Sequence, residues 1–323
     1  MPLREKQLIE RIRGRVRDNS LRSKRLLQHG IGDDCAVLRI PAKQELLVTT
    51  DFSLEDVHFR RSWHRSEVVG RRCLVRGLSD IAAMGGSPVA AFLSLALPKS
   101  ISQSWVDGFL KGLLGLAAEF KVPLAGGDTT QSPDLVLADI VVVGSVPKNK
   151  AVLRSGAQSG DRIYVTGELG GSAAALSALR EGAASVEERD YPRHFRPVPR
   201  IAVGQFLRDR RIATAMIDLS DGLSTDLSHV CEESGVGAQI DASAVPQAKV
   251  GKKKQAVDLD LALHGGEDYE LLFTARKNTR VPPKIDGVQV SPIGVITREK
   301  RLILVRDGVR CRLQVKGWEH FAH

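Results

Sequence analysis

The apolar residues of the chain follow two periods, which predict a succession of strands and helices. In the first half, Ser66 opens a run with helical spacing and Gly85 ends it. Short apolar runs bounded by polar turns predict strands on both sides of this helix. The predicted strands of this half are 36–40, 46–50, 89–97, 122–125 and 135–146, and a second helix covers 104–120.

The alternation resumes after a turn-rich stretch at 147–160, where Pro147, Asn149 and Gly156 lie. The predicted strands are then 162–166, 213–219, 236–240, 269–274, 288–295, 302–305 and 309–315, with helices at 171–180, 199–208 and 223–233 and a loop at 246–255. Strands that alternate with helices predict an α/β (α+β) fold. We expect two domains, 29–148 and 149–323, preceded by a basic arm at 1–28.

The positive charge of the protein is concentrated at its start. Of the formal net charge of +9 over 323 residues, residues 1–30 contribute +6, from nine Lys and Arg against three acidic residues. Such an arm could attract nucleic acid or an anionic membrane. A simpler interpretation is a helix with a solvated basic face, because Leu8, Ile12 and Val16 fall at helical spacing. We therefore expect neither a nucleic acid nor a membrane as partner.

The four cysteines and the hydropathy pattern favour a cytoplasmic protein. Cys35, Cys73, Cys231 and Cys311 are far apart in sequence, without metal-ligand spacing, so reduced thiols are the simplest interpretation. The apolar runs are much shorter than the ~18 residues of a membrane span.

Acidic residues recur where the predicted strands and helices end. Ligands of open α/β sheets bind at strand ends, so this placement matters. Each motif alone has a structural explanation, since Asp commonly caps helices and Gly-Asp commonly forms turns. Six motifs in such positions favour a shared site instead. They are Gly32-Asp33-Asp34, Thr49-Thr50-Asp51, Asp80, Gly126-Gly127-Asp128, Asp218-Leu219-Ser220-Asp221 and Gly265-Gly266-Glu267-Asp268.

Asp80 is the most informative of these residues, because it lies between Leu78 and Ile81 in an apolar helix. An ionised carboxylate beside a core needs a compensating charge, and a bound cation can supply it. Magnesium takes oxygen ligands and is shared between carboxylates and substrate phosphates. The motifs therefore favour a metal–polyphosphate site. Arg154 could bind phosphate bidentately or could be a surface arginine.

The motifs of the commonest nucleotide-binding classes are missing. The sequence has no G-x-x-x-x-G-K-[ST] loop, no G-x-G-x-x-G fingerprint, no H-R-D or D-F-G pair and no H-E-x-x-H. P-loop enzymes, dinucleotide-dependent dehydrogenases and protein kinases are therefore disfavoured.

Taken in order, the six motifs resemble those of the thiamine-monophosphate kinases, a family of the aminoimidazole ribonucleotide synthetase superfamily. The resemblance runs from about residue 29 to the segment around Trp318 and leaves out the basic arm. It implies two α/β domains, with the N-terminal sheets of two subunits forming a barrel across a homodimer. It also implies that ATP phosphorylates thiamine monophosphate with the help of several magnesium ions.

The resemblance assigns roles position by position. Magnesium positions are matched by Asp34, Thr49, Thr50, Asp51, Asp80, Asp128, Asp218 and Asp221, of which Asp51, Asp80, Asp128 and Asp218 are the catalytic candidates. Nucleotide positions are matched by Gly127, Asp128, Arg154 and Ser220, and substrate positions by His58, Glu267 and Trp318. Leu110 stands where some relatives have a tyrosine that contacts ATP.

Two alternatives stay open. One is another ATP-dependent synthetase of the same superfamily, although the reactive Cys or selenocysteine segment of the selenophosphate enzymes has no counterpart in the Arg-rich start of this chain. The other is a non-catalytic nucleotide sensor or nucleic-acid-binding protein that uses the basic arm, and it predicts steeply salt-dependent binding.

Overall fold

A computed structural model describes residues 5–19, 26–29, 37–182 and 186–318 of the chain. The chain divides into two compact units, and each has its own sheet. The first unit comprises Met1–Ile81 and Gly86–Asn149, and the second comprises Ala82–Gly85 and Lys150–His323. Asp34, a predicted magnesium ligand, lies outside the described residues. Every helix within the described ranges is too short or too polar to cross a bilayer.

The first unit is built on a four-stranded sheet with the strand order β3-β6-β4-β5. Only β4 and β5 run parallel, whereas β6 is antiparallel to both β3 and β4. The elements of this unit are α1 (Glu5–Asn19), β1 (Leu27–His29), β2 (Val37–Leu38), β3 (Gln44–Leu54), α2 (Ser66–Ala83), β4 (Ser87–Pro98), α3 (Gln103–Glu119), β5 (Leu124–Ser132) and β6 (Leu137–Pro147).

Helices α2 and α3 cross at glycines that bring their backbones into contact. A Cβ atom on Gly70 would lie 1.9 Å from the carbonyl oxygen of Phe109, and one on Gly112 would lie 1.8 Å from that of Glu67. On the sheet side, a Cβ atom on Gly77 would lie 2.5 Å from Val142 Cγ2 of β6. Because α2 presents glycines at its contacts with α3 and with β6, it lies close to both, and its position over the sheet is narrowly fixed.

The basic start of the chain forms α1, which packs on α3. Ile12 is buried, as the helical spacing predicts, whereas the side chain of Leu8 lies outside the described residues. Arg11 pairs with both carboxylate oxygens of Asp107, and Arg15 donates to the Asp107 carbonyl oxygen at 2.8 Å. Part of the positive charge of the arm is therefore neutralised within the first unit.

Strand β3 stands at one end of the sheet and presents an apolar row on its outer face. Leu46, Val48 and Phe52 are 51%, 66% and 58% exposed. The sheet is open, with β3 and β5 at its ends. The barrel expected across a dimer would need a second chain, and within the described residues the sheet of one chain does not close.

The second unit contains an eight-stranded sheet, in which seven strands follow the order β16-β15-β9-β14-β7-β12-β8 and β13 pairs with β14. The loop expected at 246–255 instead contributes to a two-stranded hairpin, β10-β11. The elements of this unit are β7 (Arg162–Thr166), α4 (Gly171–Arg180), α5 (Pro192–Phe195), α6 (Ile201–Asp209), β8 (Ala213–Asp218), α7 (Leu223–Ser234), β9 (Gly237–Asp241), β10 (Lys249–Val250), β11 (Gln255–Ala256), α8 (Leu259–His264), β12 (Leu271–Ala275), β13 (Lys284–Ile285), β14 (Val288–Thr297), β15 (Leu302–Arg306) and β16 (Val309–Arg312).

The core of the second unit forms where α7 and α8 cover the sheet. Ile163, Ile217 and Leu272, from β7, β8 and β12, pack in one cluster with Leu227 of α7 and Leu263 of α8. The central strands are apolar on both faces, as expected for strands that are covered on both sides. The three described cysteines, Cys73, Cys231 and Cys311, are free thiols, as predicted.

Candidate active site

The first unit brings Thr49, Asp51 and Asp80 together between β3 and α2. Thr49 and Asp51 alternate along the face of β3 that α2 covers, and α2 supplies Asp80. The hydroxyl of Thr49 donates a hydrogen bond to Asp80 Oδ2. Burial raises the pKa of Asp51 to about 7, the neighbouring Asp80 carboxylate adds to the rise, and Arg76 opposes it. Two adjacent carboxylates, beside the hydroxyl of Thr49, form an oxygen donor set that fits a hard cation.

Thr50 points to the other face of β3, where it meets an acidic residue that the sequence did not single out. Its hydroxyl donates to Asp139 Oδ1 at 2.7 Å. Asp139 lies on β6 opposite Phe52, and its charge also contributes to the raised pKa of Asp51. A lone acid in the apolar run of β6 is the same signal that identified Asp80, so Asp139 could have been found from the sequence.

Gly127 and Asp128 lie on β5, at the opposite end of the sheet from β3. The φ of Gly127 is +149°, and a Cβ atom there would lie 1.9 Å from the carbonyl oxygen of Leu93. Only glycine fits this position. Asp128 is exposed. In the register of the sheet, Asp128 of β5 lies opposite Ser94 of β4, and Ser94 lies opposite Asp139 of β6. Asp128 and Asp139 therefore stand two strands apart, about 10 Å at ordinary strand spacing.

His58 lies in the turn that follows β3. Its Nδ1 accepts a hydrogen bond from the Leu54 N–H at 3.0 Å. In the neutral imidazole, Nε2 then carries the proton. Leu110 is fully buried in α3, so its side chain belongs to the core of the first unit.

In the second unit, the loop after β8 gathers three carboxylates. Asp218 ends β8 and is 3% exposed, and Asp226 on α7 is 1% exposed. Asp226 Oδ2 accepts the N–H groups of Asp221 at 3.2 Å and Gly222 at 3.0 Å. Burial raises the pKa of Asp226, and the charges of Asp218 and Asp221 raise it further. Asp226 was missed because an acid in the first turn of a helix is ordinarily a dipole partner.

The segment 265–270 runs beside this loop and is joined to it by backbone hydrogen bonds. Glu267 N–H donates to the Ser220 carbonyl at 2.7 Å, and Tyr269 N–H donates to the Leu219 carbonyl at 2.9 Å. Leu219 N–H returns a bond to the Glu270 carbonyl at 2.8 Å. Two motifs that are about 45 residues apart in the sequence thus form one rim.

Trp318 joins the same rim through its backbone. Its N–H donates to the carbonyl of Asp221 at 3.0 Å, and Gly317 N–H donates to Thr225 Oγ1 at 3.0 Å. The side chain of Trp318 is 48% exposed. The second unit therefore brings Ser220, Asp221, Glu267 and Trp318 together, with an aromatic ring open to solvent.

Arg154 lies beside the C-terminal end of α7, whereas the rim lies at the N-terminal end of that helix. Its side chain is exposed, and its carbonyl accepts a hydrogen bond from Ser234 Oγ at 3.1 Å. Among the residues that the structure describes, no three His, Cys, Asp or Glu side chains converge in a ready-made metal site. The carboxylates are instead grouped as Asp51 with Asp80 in the first unit and Asp218, Asp221 and Asp226 in the second.

Comparison with known proteins places this arrangement in a family. Residues 32–146 match the family described as AIR synthase related protein, N-terminal domain, and residues 158–307 match its C-terminal domain. The thiamine-monophosphate kinase of Salmonella typhimurium is 40% identical over 329 aligned positions, which cover 98% of both chains.

Solved structures agree with the sequence comparison. The crystal structure of thiamine-monophosphate kinase from Stenotrophomonas maltophilia K279a has a TM-score of 0.79 at 35% identity, covering 95% of this chain and 98% of that one. The complex of AaThiL with AMPPCP and TMP has a TM-score of 0.77 at 32% identity, covering 99% of each chain.

The match of both domains, over residues 32–146 and 158–307, defines a member of the AIR synthase related family. Within it, the chain belongs to the thiamine-monophosphate kinases, as the full-length identity to curated members shows.

Proposed function

We propose that the protein transfers the γ-phosphoryl group of ATP to thiamine monophosphate, which yields thiamine diphosphate and ADP. The observation that carries this proposal is the family membership along nearly the whole chain. The pair formed by Asp51 and Asp80 supports it from the chemistry, because a kinase must hold cations against triphosphate. The AaThiL complex supports it too, since that relative holds AMPPCP and TMP.

The reaction needs little acid–base chemistry from the protein. The nucleophile is a phosphate oxygen of the acceptor, which is already ionised near neutral pH, so no general base is required. Catalysis then rests on positioning and charge neutralisation. Bound Mg²⁺ would neutralise the phosphate oxygens and stabilise the charge of the transition state.

Residues of both units are proposed to hold the metal ions and to contact the nucleotide. In the first unit, Asp51, Asp80, Asp128 and Thr49 would hold metal, and the hydroxyl of Thr49 also donates to Asp80. In the second unit, Asp218 and Asp221 would hold metal. The further proposed metal ligands are Asp34 and Thr50. Gly127, Asp128, Arg154 and Ser220 contact the nucleotide.

The acceptor is bound by His58, Glu267 and Trp318. The exposed indole of Trp318 suits the planar cationic thiazolium ring, since a cation over a tryptophan face gains roughly 0.5–2 kcal/mol. Glu267 adds a negative charge for the same cation. His58, in the turn after β3, is the third proposed acceptor residue.

We also propose that two chains associate through the outer face and free edge of β3. Leu46, Val48 and Phe52 form an apolar row on an eleven-residue strand at the end of its sheet. Long apolar edges in soluble proteins are ordinarily covered by a partner. Two such edges related by a twofold axis would extend the sheet across a homodimer and give the barrel that the family resemblance implies.

A single assay tests the function. Purified protein is incubated with ATP, Mg²⁺ and thiamine monophosphate, and the thiamine species and ADP are separated by chromatography. We expect thiamine diphosphate and ADP in equal amounts, and no reaction in excess EDTA. Faster phosphorylation of free thiamine or another acceptor would overturn the assignment. ATP turnover with an amide or selenium acceptor would favour the synthetase alternative. Since ATP is supplied in the cytoplasm, we place the enzyme there.

A further inference from the structure

The segment that carries Glu267 is held in an unfavourable backbone conformation. Glu267 has a φ of +64° and Tyr269 has a φ of +52°, so two non-glycine residues lie in the left-handed region within three positions. Such residues persist only where their surroundings fix them. Two side chains of the segment itself fix it in place. They are the buried carboxylates of Asp268 and Glu270, which follow Glu267 and Tyr269 in the sequence.

The first anchor is Asp268, which is 4% exposed. Its Oδ2 accepts the N–H of Gly170 at 2.6 Å, and its Oδ1 accepts the N–H of Ser172 at 3.1 Å. Both amides belong to the start of α4. Burial raises the pKa of Asp268 to about 7, and the hydrogen bonds from these two amides oppose the rise. A Cβ atom at Gly170 would lie 2.8 Å from Ala262 N, so a side chain at this position would collide with the backbone of α8.

The second anchor is Glu270, which is fully buried. Arg200 Nε donates to Oε2 at 2.7 Å, and Thr166 Oγ1 donates to the same oxygen at 2.6 Å. Arg193 pairs with Oε1. Burial alone would raise the pKa of Glu270, but the hydrogen bonds and charges of the two arginines outweigh it and hold the pKa below its ordinary value. The carboxylate is therefore ionised and fixed.

Thr166 connects this anchor to the strand that follows. Its Oγ1 accepts the N–H of Leu271 at 2.8 Å while donating to Glu270. At the next residue, Gly167, a Cβ atom would lie 2.1 Å from Glu270 Oε1. The end of β7 is thus shaped around the Glu270 carboxylate.

We propose that Asp268 and Glu270 are positioning residues, which clamp the segment 265–270 so that Glu267 faces the acceptor at the rim formed with Ser220 and Trp318. The inference rests on the proposed role of Glu267 in acceptor binding. The clamp holds the middle of the segment, at Asp268, to the start of α4 and its end, at Glu270, to Arg193 and Arg200. The left-handed backbone at Glu267 and Tyr269 is tolerated because the residues that follow them, Asp268 and Glu270, are held by hydrogen bonds.

Thr166→Val and Asp268→Asn are the test variants, because each removes part of one anchor with little change in volume. Val removes the hydroxyl that bonds both Glu270 and Leu271. Asn replaces one oxygen of Asp268, which accepts a backbone N–H, by an amide NH2 group, which can only donate. Glu270→Gln is a stronger variant, which leaves two arginines without their ion pair. Leu304→Ala is the matched control, because it opens the same core on β15, four strand positions from β12.

Each variant is assayed for kcat and for KM of thiamine monophosphate and ATP, together with its Tm. We expect Thr166→Val and Asp268→Asn to raise the KM for thiamine monophosphate roughly fivefold to tenfold, the effect of one lost ordinary hydrogen bond. The KM for ATP should stay within about twofold. In a Glu267→Gln background, the same substitutions should change the acceptor KM by less than about twofold, since the clamp then has no carboxylate to aim.

Three results are distinguishable. If Thr166→Val and Asp268→Asn lower the Tm as Leu304→Ala does and leave the acceptor KM unchanged, the anchors are purely structural and the proposal is wrong. If Glu267→Gln itself leaves the acceptor KM unchanged, the role of Glu267 fails and the proposal fails with it. If the wild-type protein makes no thiamine diphosphate, the proposed function fails before any variant is compared.

Discussion

Replacement of Asp51 by Asn should stabilise the metal-free protein while it abolishes activity. In the structure, Asp51 is packed beside Asp80, and burial with this neighbouring charge raises its pKa from the ordinary 3.8 to about 7. At 1.36 kcal/mol per pKa unit, ionised Asp51 costs the folded state at most about 4 kcal/mol. Asn carries no charge and has nearly the same shape, so it removes this cost. It also removes a carboxylate that we propose to hold metal.

The sign of the effect depends on pH. Below pH 3.8, Asp51 is protonated in the folded and unfolded states, and its burial carries no ionisation cost. The folded state loses stability as the pH rises towards about 7, and the full cost is present above that. The advantage of Asp51→Asn should therefore be large at pH 8 and small at pH 5.

The assay is thermal unfolding in EDTA at both pH values, followed by the same scans with Mg²⁺. At pH 8 in EDTA we expect Asp51→Asn to raise the Tm by roughly 5–10 °C, for a gain of ~2–4 kcal/mol. Mg²⁺ should raise the Tm of the wild type more than that of the variant. Turnover should fall by about 10² or more. The exposed Asp134→Asn is the control, with no expected change in either measurement.

Two outcomes would refute this reasoning. If Asp51→Asn melts at or below the temperature of the wild type in EDTA at pH 8, ionised Asp51 does not destabilise the folded state as its burial beside Asp80 implies. If its Tm gain is equal at pH 5 and pH 8, the gain has a cause other than ionisation.

Four further predictions concern separate parts of the chain. Trp318→Ala should raise the KM for thiamine monophosphate roughly threefold to thirtyfold with little change in the KM for ATP or in Tm, because the indole is half exposed; a lower Tm with an unchanged KM would make it a structural anchor. Phe52→Asp should convert a dimer into monomers in sedimentation, and a wild type that is monomeric and fully active at micromolar concentration would contradict this. Gly127→Ala should be inactive or poorly folded, since its Cβ would lie 1.9 Å from the Leu93 oxygen, whereas near-normal turnover would show that β5 can shift. Arg11→Ala should loosen α1, seen as faster proteolysis there, with kcat unchanged.

Periodicity identified most of the framework because the helices and central strands are long and apolar on their buried sides. Strand β7 and helix α4 begin and end at the predicted residues. Strand β5 was predicted to end at 125, before its glycines, yet it continues to Ser132 because β4 pairs with it beyond them. Strand β12 begins at Leu271 rather than at Tyr269, since Tyr269 is held in the left-handed region. In both cases tertiary contacts override local propensity.

The acidic motifs were readable from the sequence, but their grouping was not. Glu267 and Ser220 meet through backbone hydrogen bonds that no side-chain pattern encodes. The arginines around Glu270 are at least 70 residues away along the chain, so nothing local connects them. Asp139 is the exception, because a single acid within an apolar strand is visible in the sequence.

The glycine contact between α2 and α3 has a consequence for how the protein tolerates inherited change. Every single-base missense change of a glycine codon introduces a side chain. At Gly70 and Gly112, any such side chain would enter the space of a carbonyl oxygen on the facing helix. The helices would have to separate, and Asp80 would move with α2 away from Thr49. A random-mutagenesis survey of this gene should therefore find inactivating substitutions at Gly70 and Gly112, although neither residue belongs to the proposed site. Substitutions at neighbouring exposed positions should be tolerated.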